Sequence, residues 1–327
     1  MKKRRLILFF CVWILSLSRV SAQFDAIYSN YMELPETNNP GAVAQNEMMN
    51  LLGAYRLQWA GFSDAPVDMF FSVNMPFVVS DTKHGVGLVF SSENIGLFKN
   101  QSVLLQYSYK MKFWKGYMGL GLDLGFLNQT FDISDADFTG GGGSAVAGDE
   151  YHKDDDPMAS KGPRGDGNSA LTFDAGVGAY YSDDDMFVGL SVAHLNAGTL
   201  DFGSDSAELY VPRIFYLTGG YNIPLSNAFY VLKPSTQFRT DFGDFQMDLS
   251  CLVEYDKRIR GGLTYRLGDA FVFMVGMDLL SGLRLGYAYD LPVSKMIVSG
   301  GSHEVYLRYS FKPEFSKKNK YKSDRIL

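Results

Sequence analysis

The feature that most constrains this chain is an apolar–polar alternation with a period of two that returns fourteen times. In Ser102 to Phe113, Val103, Leu105, Tyr107, Tyr109, Met111 and Phe113 share one side, while Ser102, Gln106, Ser108, Lys110 and Lys112 share the other. Successive side chains of an extended strand point to opposite faces, so this spacing predicts a half-buried strand whose faces meet different surroundings. Comparable segments begin near residues 46, 67, 84, 101, 116, 169, 186, 213, 230, 245, 258, 270, 283 and 302. The apolar faces need either a second sheet or lipid.

A soluble β-sandwich also alternates, but it does not need strands of near ten residues throughout, an even strand count, or long connections confined to one side. If the chain enters from the periplasm, the odd-numbered links lie outside the cell. They include every long one: Ser91 to Asn100, Phe131 to Asn168, Asn196 to Pro212, and Leu291 to Gly301. The even-numbered links are tight, as at Trp114-Lys115 and Asp256-Lys257. The chain is therefore expected to be all-β, an antiparallel transmembrane β-barrel of about 14 strands in the cell outer membrane. Composition agrees, since 34 Gly, 20 Tyr and 25 Phe suit many short strands better than packed helices. The polar faces then line a wet lumen, where Gln106, Lys110, Asp123, Asp174, Asp248, Glu254 and Arg308 are expected to point inward.

At the N-terminus Lys2, Lys3, Arg4 and Arg5 precede an apolar run from Leu6 to Leu17 and the small-residue pattern Val20-Ser21-Ala22, which reads as a secretory signal cleaved before Gln23. The expected organisation is a signal over 1–22, an N-terminal periplasmic or lumen-plugging segment over 23–45, the barrel over 46–311 and a basic periplasmic tail over 312–327. Cys11 leaves with the signal, so Cys251 has no partner for an internal disulfide, and closure of the barrel has to supply the stability that staples would give. Removing the signal takes the formal charge from −6 to −11, because five basic residues and no acid leave with it. A chain this acidic is a poor partner for nucleic acid.

Motifs of catalysis are missing. Gly119-Leu-Gly121-Leu-Asp-Leu-Gly125 looks like a dinucleotide loop only until it is placed on a strand, where its glycines fall on the inward face and no helix follows. The stretch from Asp149 to Asp156 has oxygen ligands for calcium but no fixed spacing, so a solvated loop is expected there. His84, His152, His194 and His303 show no metal-ligand pattern. No cofactor, metal or small-molecule prosthetic group is expected, and no enzymatic activity. The tail "KPEFSKKNKYKSDRIL" reads either as a solubilising end or as a docking segment using Lys317, Lys318, Lys320 and Lys322.

Several stretches carry a family likeness. "YRLQWAGFSDAP" (Tyr55 to Pro66), "NPGA" (Asn39 to Ala42), "GVGLVFSSENIGLFKN" (Gly85 to Asn100), "YRLGDAFVFMVGM" with "LRLGYAYD" (Tyr265 to Asp290) and "GSHEVYLRYSF" (Gly301 to Phe311) together resemble the PorP/SprF family of the type IX secretion system of Bacteroidetes. The resemblance implies an outer-membrane barrel serving protein secretion and, in gliding bacteria, motility. It implies partners among the periplasmic anchor proteins and translocon of that system, with adhesin-like cargo, and no catalytic residues. It marks Tyr55, Arg56, Gln58, Trp59, Gly61, Phe62, Ala65, Pro66, Gly301, Ser302, His303 and Glu304 as positions of structure or contact. First and last strands must pair to close a barrel, so the two motifs are expected at one seam. The alternative is a channel for small or hydrophobic molecules. A lumen of this size leaves room for Gln23 to Gln45 to fold inward.

Overall fold

The alternating segments become fourteen antiparallel strands in a computed structural model describing residues 25–131, 168–196, 198–201, 208–280 and 282–312. The strands are β1 (Met49–Leu57), β2 (Val67–Val79), β3 (Thr82–Ile95), β4 (Phe98–Phe113), β5 (Gly116–Phe131), β6 (Asn168–Ser182) and β7 (Met186–Ala193). They continue as β8 (Ile214–Tyr221), β9 (Tyr230–Thr240), β10 (Phe245–Tyr255), β11 (Ile259–Arg266), β12 (Ala270–Leu280), β13 (Leu283–Pro292) and β14 (Ser302–Phe311). Each pairs with its neighbours in sequence, and β1 pairs with β14 from Met49↔Phe311 to Leu57↔His303, which closes the sheet into a barrel. Closure gives every barrel strand a partner on both sides, so the barrel has no edge strand.

The rim where β1 begins and β14 ends is called here the closing rim, and the opposite one the loop rim. Turns at the closing rim are tight for a physical reason: Ser80 and Asp81 both have positive φ (47° and 63°), as do Asp256 and Lys257 (51° and 55°), the primed geometry whose twist matches paired strands. At the loop rim a small hairpin pairs Gly198–Asp201 with Glu208–Val211. One expectation is corrected there. Ser91 to Asn100 is not a long loop, because β3 and β4 stay in register to Ile95↔Phe98 and turn through Gly96-Leu97 alone. Several polar residues of that stretch face the lumen, among them Ser91, which meets Ser102 at 2.7 Å, and Glu93 and Asn100, joined at 3.0 Å, and so read like a loop in sequence.

The two faces differ as the alternation requires. Val103, Leu105, Tyr107, Tyr109 and Met111 are exposed on the outer wall, whereas Ser102, Gln106, Ser108 and Lys110 are buried inside. Lys112, on the same side as Lys110, is exposed near the closing rim. Aromatic side chains ring both ends of the outer wall: Phe113, Trp114, Tyr221, Phe229 and Tyr255 near the closing rim, Tyr55, Phe126, Phe173, Phe245 and Phe271 near the loop rim. No helix among the described residues is long and apolar enough to cross a membrane; the strands supply the spanning surface. Replacing Leu105, 56% exposed in mid-strand, with lysine is expected to destabilise the folded barrel in a bilayer by about 2 to 4 kcal/mol. Urea titration of liposome-inserted protein measures this, and an unchanged midpoint would contradict a lipid-facing register.

Candidate functional site

The described chain begins inside the barrel. Residues 25–48 form an irregular segment with two short 3-10 turns, Pro35–Thr37 and Pro40–Ala42, and most of it is buried by the wall. An irregular segment carries unsatisfied backbone groups, so it can be buried only where the wall offers polar partners. The inward faces supply them at three levels.

Nearest the loop rim, Asp25 accepts from Tyr216 at 2.6 Å and lies 3.0 Å from Nε2 of His194, whose Nδ1 is 3.0 Å from Asp174. Burial alone would lower the His194 pKa, but the two carboxylates outweigh it and push it up to about 10, so the ring carries its charge at neutral pH.

Just below, Ser29 sits at the centre of a buried ionic network. Its hydroxyl accepts from Arg56 (2.9 Å) and Arg266 (3.0 Å) and donates to Asp290 (2.8 Å). Its backbone N–H donates to Glu304 at 2.6 Å, and Asn30 donates to the same carboxylate from N–H (2.9 Å) and side chain (2.7 Å). Arg56 bridges Asp290 (2.7 Å) and Glu304 (3.3 Å), while Arg266 bridges Asp290 (2.8 Å) and Asp248 (3.2 Å). Desolvating such charges costs several kcal/mol per ion, so the network fixes where the segment lies more than it adds net stability.

Towards the closing rim, Glu33 is held by Arg284 (2.6 Å) and Arg260 (3.0 Å), and its backbone carbonyl accepts from Arg308, which also reaches Glu36 at 3.3 Å. Burial would raise the Glu33 carboxyl, but Arg284, Arg260 and Arg308 hold it at about 2. With the folded pKa below the usual 4.5, this tie is complete above about pH 4.5 and is lost as pH falls toward 2. A spin label at Thr37 is expected to stay immobile down to pH 4.5 and loosen below it; mobility already high at pH 7 would contradict the tie.

The segment then crosses to the opposite wall. Asn39 donates to the carbonyls of Ala179 (3.1 Å) and Leu190 (3.3 Å), Gln106 donates to the Glu36 carbonyl (3.1 Å), and Lys110 donates to Gln45 (2.8 Å). The inward glycines of β5 now have a role. A Cβ on Gly119 or Gly121 would overlap the backbone of Pro40 and Gly41, and one on Gly41 would come within 2.6 Å of the Gly119 carbonyl. Backbone meets backbone only because neither side has a side chain there. Gly121→Ala is expected to displace the Pro40–Ala42 turn and raise hydrogen exchange at Gly41 and Ala42, whose amides are otherwise bonded to Asn39; unchanged exchange would refute the contact.

All seven residues expected in the lumen lie on inward faces: Gln106, Lys110 and Asp174 as described, Asp123 lining a cavity together with Asp174 and His194, Asp248 on Arg266, Glu254 on Lys233 at 2.7 Å, and Arg308 on Glu36. The family-motif positions divide. Arg56 and Glu304 belong to the Ser29 network. Gln58 donates to Asp68 at 2.8 Å, and Trp59 N–H donates to Ser302 at 3.1 Å. Backbone bonds Ala60 N–H to Gly301 (2.7 Å) and Gly300 N–H to Ala60 (2.6 Å) carry the β1–β14 seam beyond the strands, with Gly61 and Gly301 at φ 97° and 82°. Tyr55 and Phe62 are exposed, Pro66 receives the Gln58 N–H at 2.8 Å, Ala65 lies in the same exposed turn, and His303 contacts Tyr287 at 2.7 Å on the outer wall. The possible calcium loop from Asp149 to Asp156 and Lys317, Lys318, Lys320 and Lys322 lie outside the described residues.

Sequence reading missed Arg260, Arg266, Arg284 and Asp290 as partners of the N-terminal segment. The available signal was parity: these residues fall on the inward faces of β11 and β13, where charge needs an opposite charge to be buried.

Among solved structures the barrel is similar to the CymD monoaromatic hydrocarbon channel, at 13% identity over 90% of this chain and 95% of that one, with a TM-score of 0.45. It is also similar to a deltaS2S3 mutant of the TodX monoaromatic hydrocarbon channel (12% identity, 81% and 90% covered, TM-score 0.40) and to a triple mutant of the Rhodopseudomonas blastica porin (10%, 80% and 99%, TM-score 0.32). Likenesses this distant carry no functional inference. No curated protein matches the chain. Residues 20–309 match the family described as "Type IX secretion system membrane protein PorP/SprF", and that match spans both seam motifs, the buried N-terminal segment, thirteen strands and all but the last two residues of the fourteenth. The chain therefore belongs to the PorP/SprF family of type IX secretion system membrane proteins and is an outer-membrane β-barrel.

Proposed function

We propose that this barrel is a non-enzymatic adaptor or anchor of the type IX export machinery and not the conduit through which cargo passes. The observation that carries the proposal is the occupied lumen. Residues 25–45 run between the walls and are tied at three levels, so an unfolded protein has no free cross-section to thread. A member of an export family that cannot serve as the passage is left with tasks done from its rims: holding periplasmic anchor proteins or translocon subunits at the closing rim, or retaining adhesin-like cargo at the loop rim.

Two measurements on the purified protein test this. In liposomes the barrel is expected to give no swelling with small solutes and no uptake of apolar compounds. From cells in mild detergent it is expected to co-purify with export components. Uptake without co-purification would overturn the proposal in favour of a small-molecule channel. Repeating the pull-down without Lys312 to Leu327 decides whether the basic tail is the periplasmic dock: lost partners support it, and an unchanged set rejects it.

A further inference from the structure

Above the Ser29 network, at the loop-rim mouth of the lumen, lies a cavity of about 220 Å³ lined by Arg56, Trp59, Gln246, Arg266, Asp269 and Asp290 among others. We infer that this cavity is a binding subsite for a single neutral sugar residue, a role separate from the adaptor function proposed above.

Charge narrows the ligand first. Two guanidiniums, Arg56 and Arg266, and two carboxylates, Asp269 and Asp290, line the cavity, so a bound anion meets the acids and a bound cation the arginines. The groups that lack partners narrow it further. Arg56, 2% exposed, keeps its Nε without an acceptor, and so does Nε2 of Gln246. Asp269 keeps its side chain 34% exposed in the same lining, 3.8 Å from Arg266 and accepting from the Ser294 hydroxyl at 3.4 Å. Donors from the arginines and Gln246 interleave with carboxylate acceptors around one small space, which matches a ligand whose every polar group both donates and accepts, the property of a hydroxyl. Such a ligand pairs with both kinds of group without adding charge.

Trp59 completes the site. Its backbone is held in the left-handed region at φ 48°, a costly conformation for a bulky residue. The Ser302 hydroxyl accepting its N–H and the Ala60–Gly301 bond fix it there. A broad aromatic wall beside fixed polar groups suits the C–H face of a pyranose ring. At about 220 Å³ the cavity has room for one ring.

The test is a titration of the mature protein in an amine-oxide detergent, which has no sugar headgroup to compete. Glucose, galactose, mannose and N-acetylglucosamine are added while Trp59 fluorescence is followed in a Trp114→Phe background, with saturation-transfer NMR as the second readout. At least one neutral sugar is expected to saturate with a Kd of about 1 to 10 mM. Glucuronate and glucosamine are expected to bind more weakly, and Gln246→Ala to weaken binding about fivefold to tenfold. Retained heat-modifiable migration shows that this variant is folded. Oligosaccharide released from outer-leaflet glycolipid and a glycopeptide form a second arm, and the tighter of the two names the natural source. No saturation by any neutral sugar, affinity unchanged by Gln246→Ala, tighter binding of the charged sugars, or displacement only by unglycosylated peptide would each overturn the inference.

Discussion

Replacing Arg56 with methionine is expected to cost about 3 kcal/mol of folding stability, the lower end of the range for breaking a buried ion pair. Arg56 and its two carboxylate partners are at most 2% exposed, so the acids left behind are poorly solvated. Two features keep the loss from being larger. Asp290 retains Arg266 at 2.8 Å, and Glu304 retains three amide donors from Ser29 and Asn30. Methionine preserves most of the apolar stem, which separates lost charge from lost packing. Adding Glu304→Gln to Arg56→Met is expected to recover about 1 kcal/mol or more, because the orphaned charge is removed while the amide side chain keeps an acceptor. Urea unfolding of liposome-inserted protein gives both numbers. A loss below 1 kcal/mol for the single variant would mean that water reaches the network.

Excising residues 25–45 is expected to turn a closed barrel into a conducting one. Fourteen strands lie between the filled eight-stranded barrels and the open sixteen-stranded porins, so the wall alone encloses a lumen wide enough for water and ions. Without the segment, Arg260, Arg284 and Arg308 lose Glu33 and Glu36 and face the closing-rim mouth with less opposing charge. The open state is therefore expected to prefer anions. Single-channel recording in planar bilayers measures both properties. Silent bilayers from a correctly folded deletion protein would show that something other than this segment closes the lumen. The Glu33→Gln variant guards against misfolding of the deletion. It keeps the chain intact, weakens one tie by about 2 to 5 kcal/mol, and is expected to flicker open.

Much of the wall was legible in the sequence because alternation is a local property. A residue at position i on a strand fixes the face of i+2 whatever the rest of the chain does, and strand starts read from that rule lie within three residues of those observed. The hairpin of β3 and β4 shows where the rule fails: inward polar residues such as Ser91, Glu93 and Asn100 look like a loop when the lumen that solvates them is not known. The seam was legible too, since closure obliges β1 to meet β14, which brings Arg56 beside Glu304 in register. The partners of the N-terminal segment were not legible. Ser29 lies 275 residues from Glu304 and 261 from Asp290, and no spacing rule spans such a separation.

By itself the sequence determined the two-faced wall, its strand count and the pairing of its ends, because side-chain parity and hydrogen-bond closure are set residue by residue. Only the tertiary structure decided what fills the lumen. Whether an irregular polar segment lies outside or within depends on whether guanidiniums and carboxylates from distant strands arrive together at the depth of its own charges, and on whether glycines leave room for its backbone. Those coincidences are made by the closed barrel and exist nowhere along the chain before it closes.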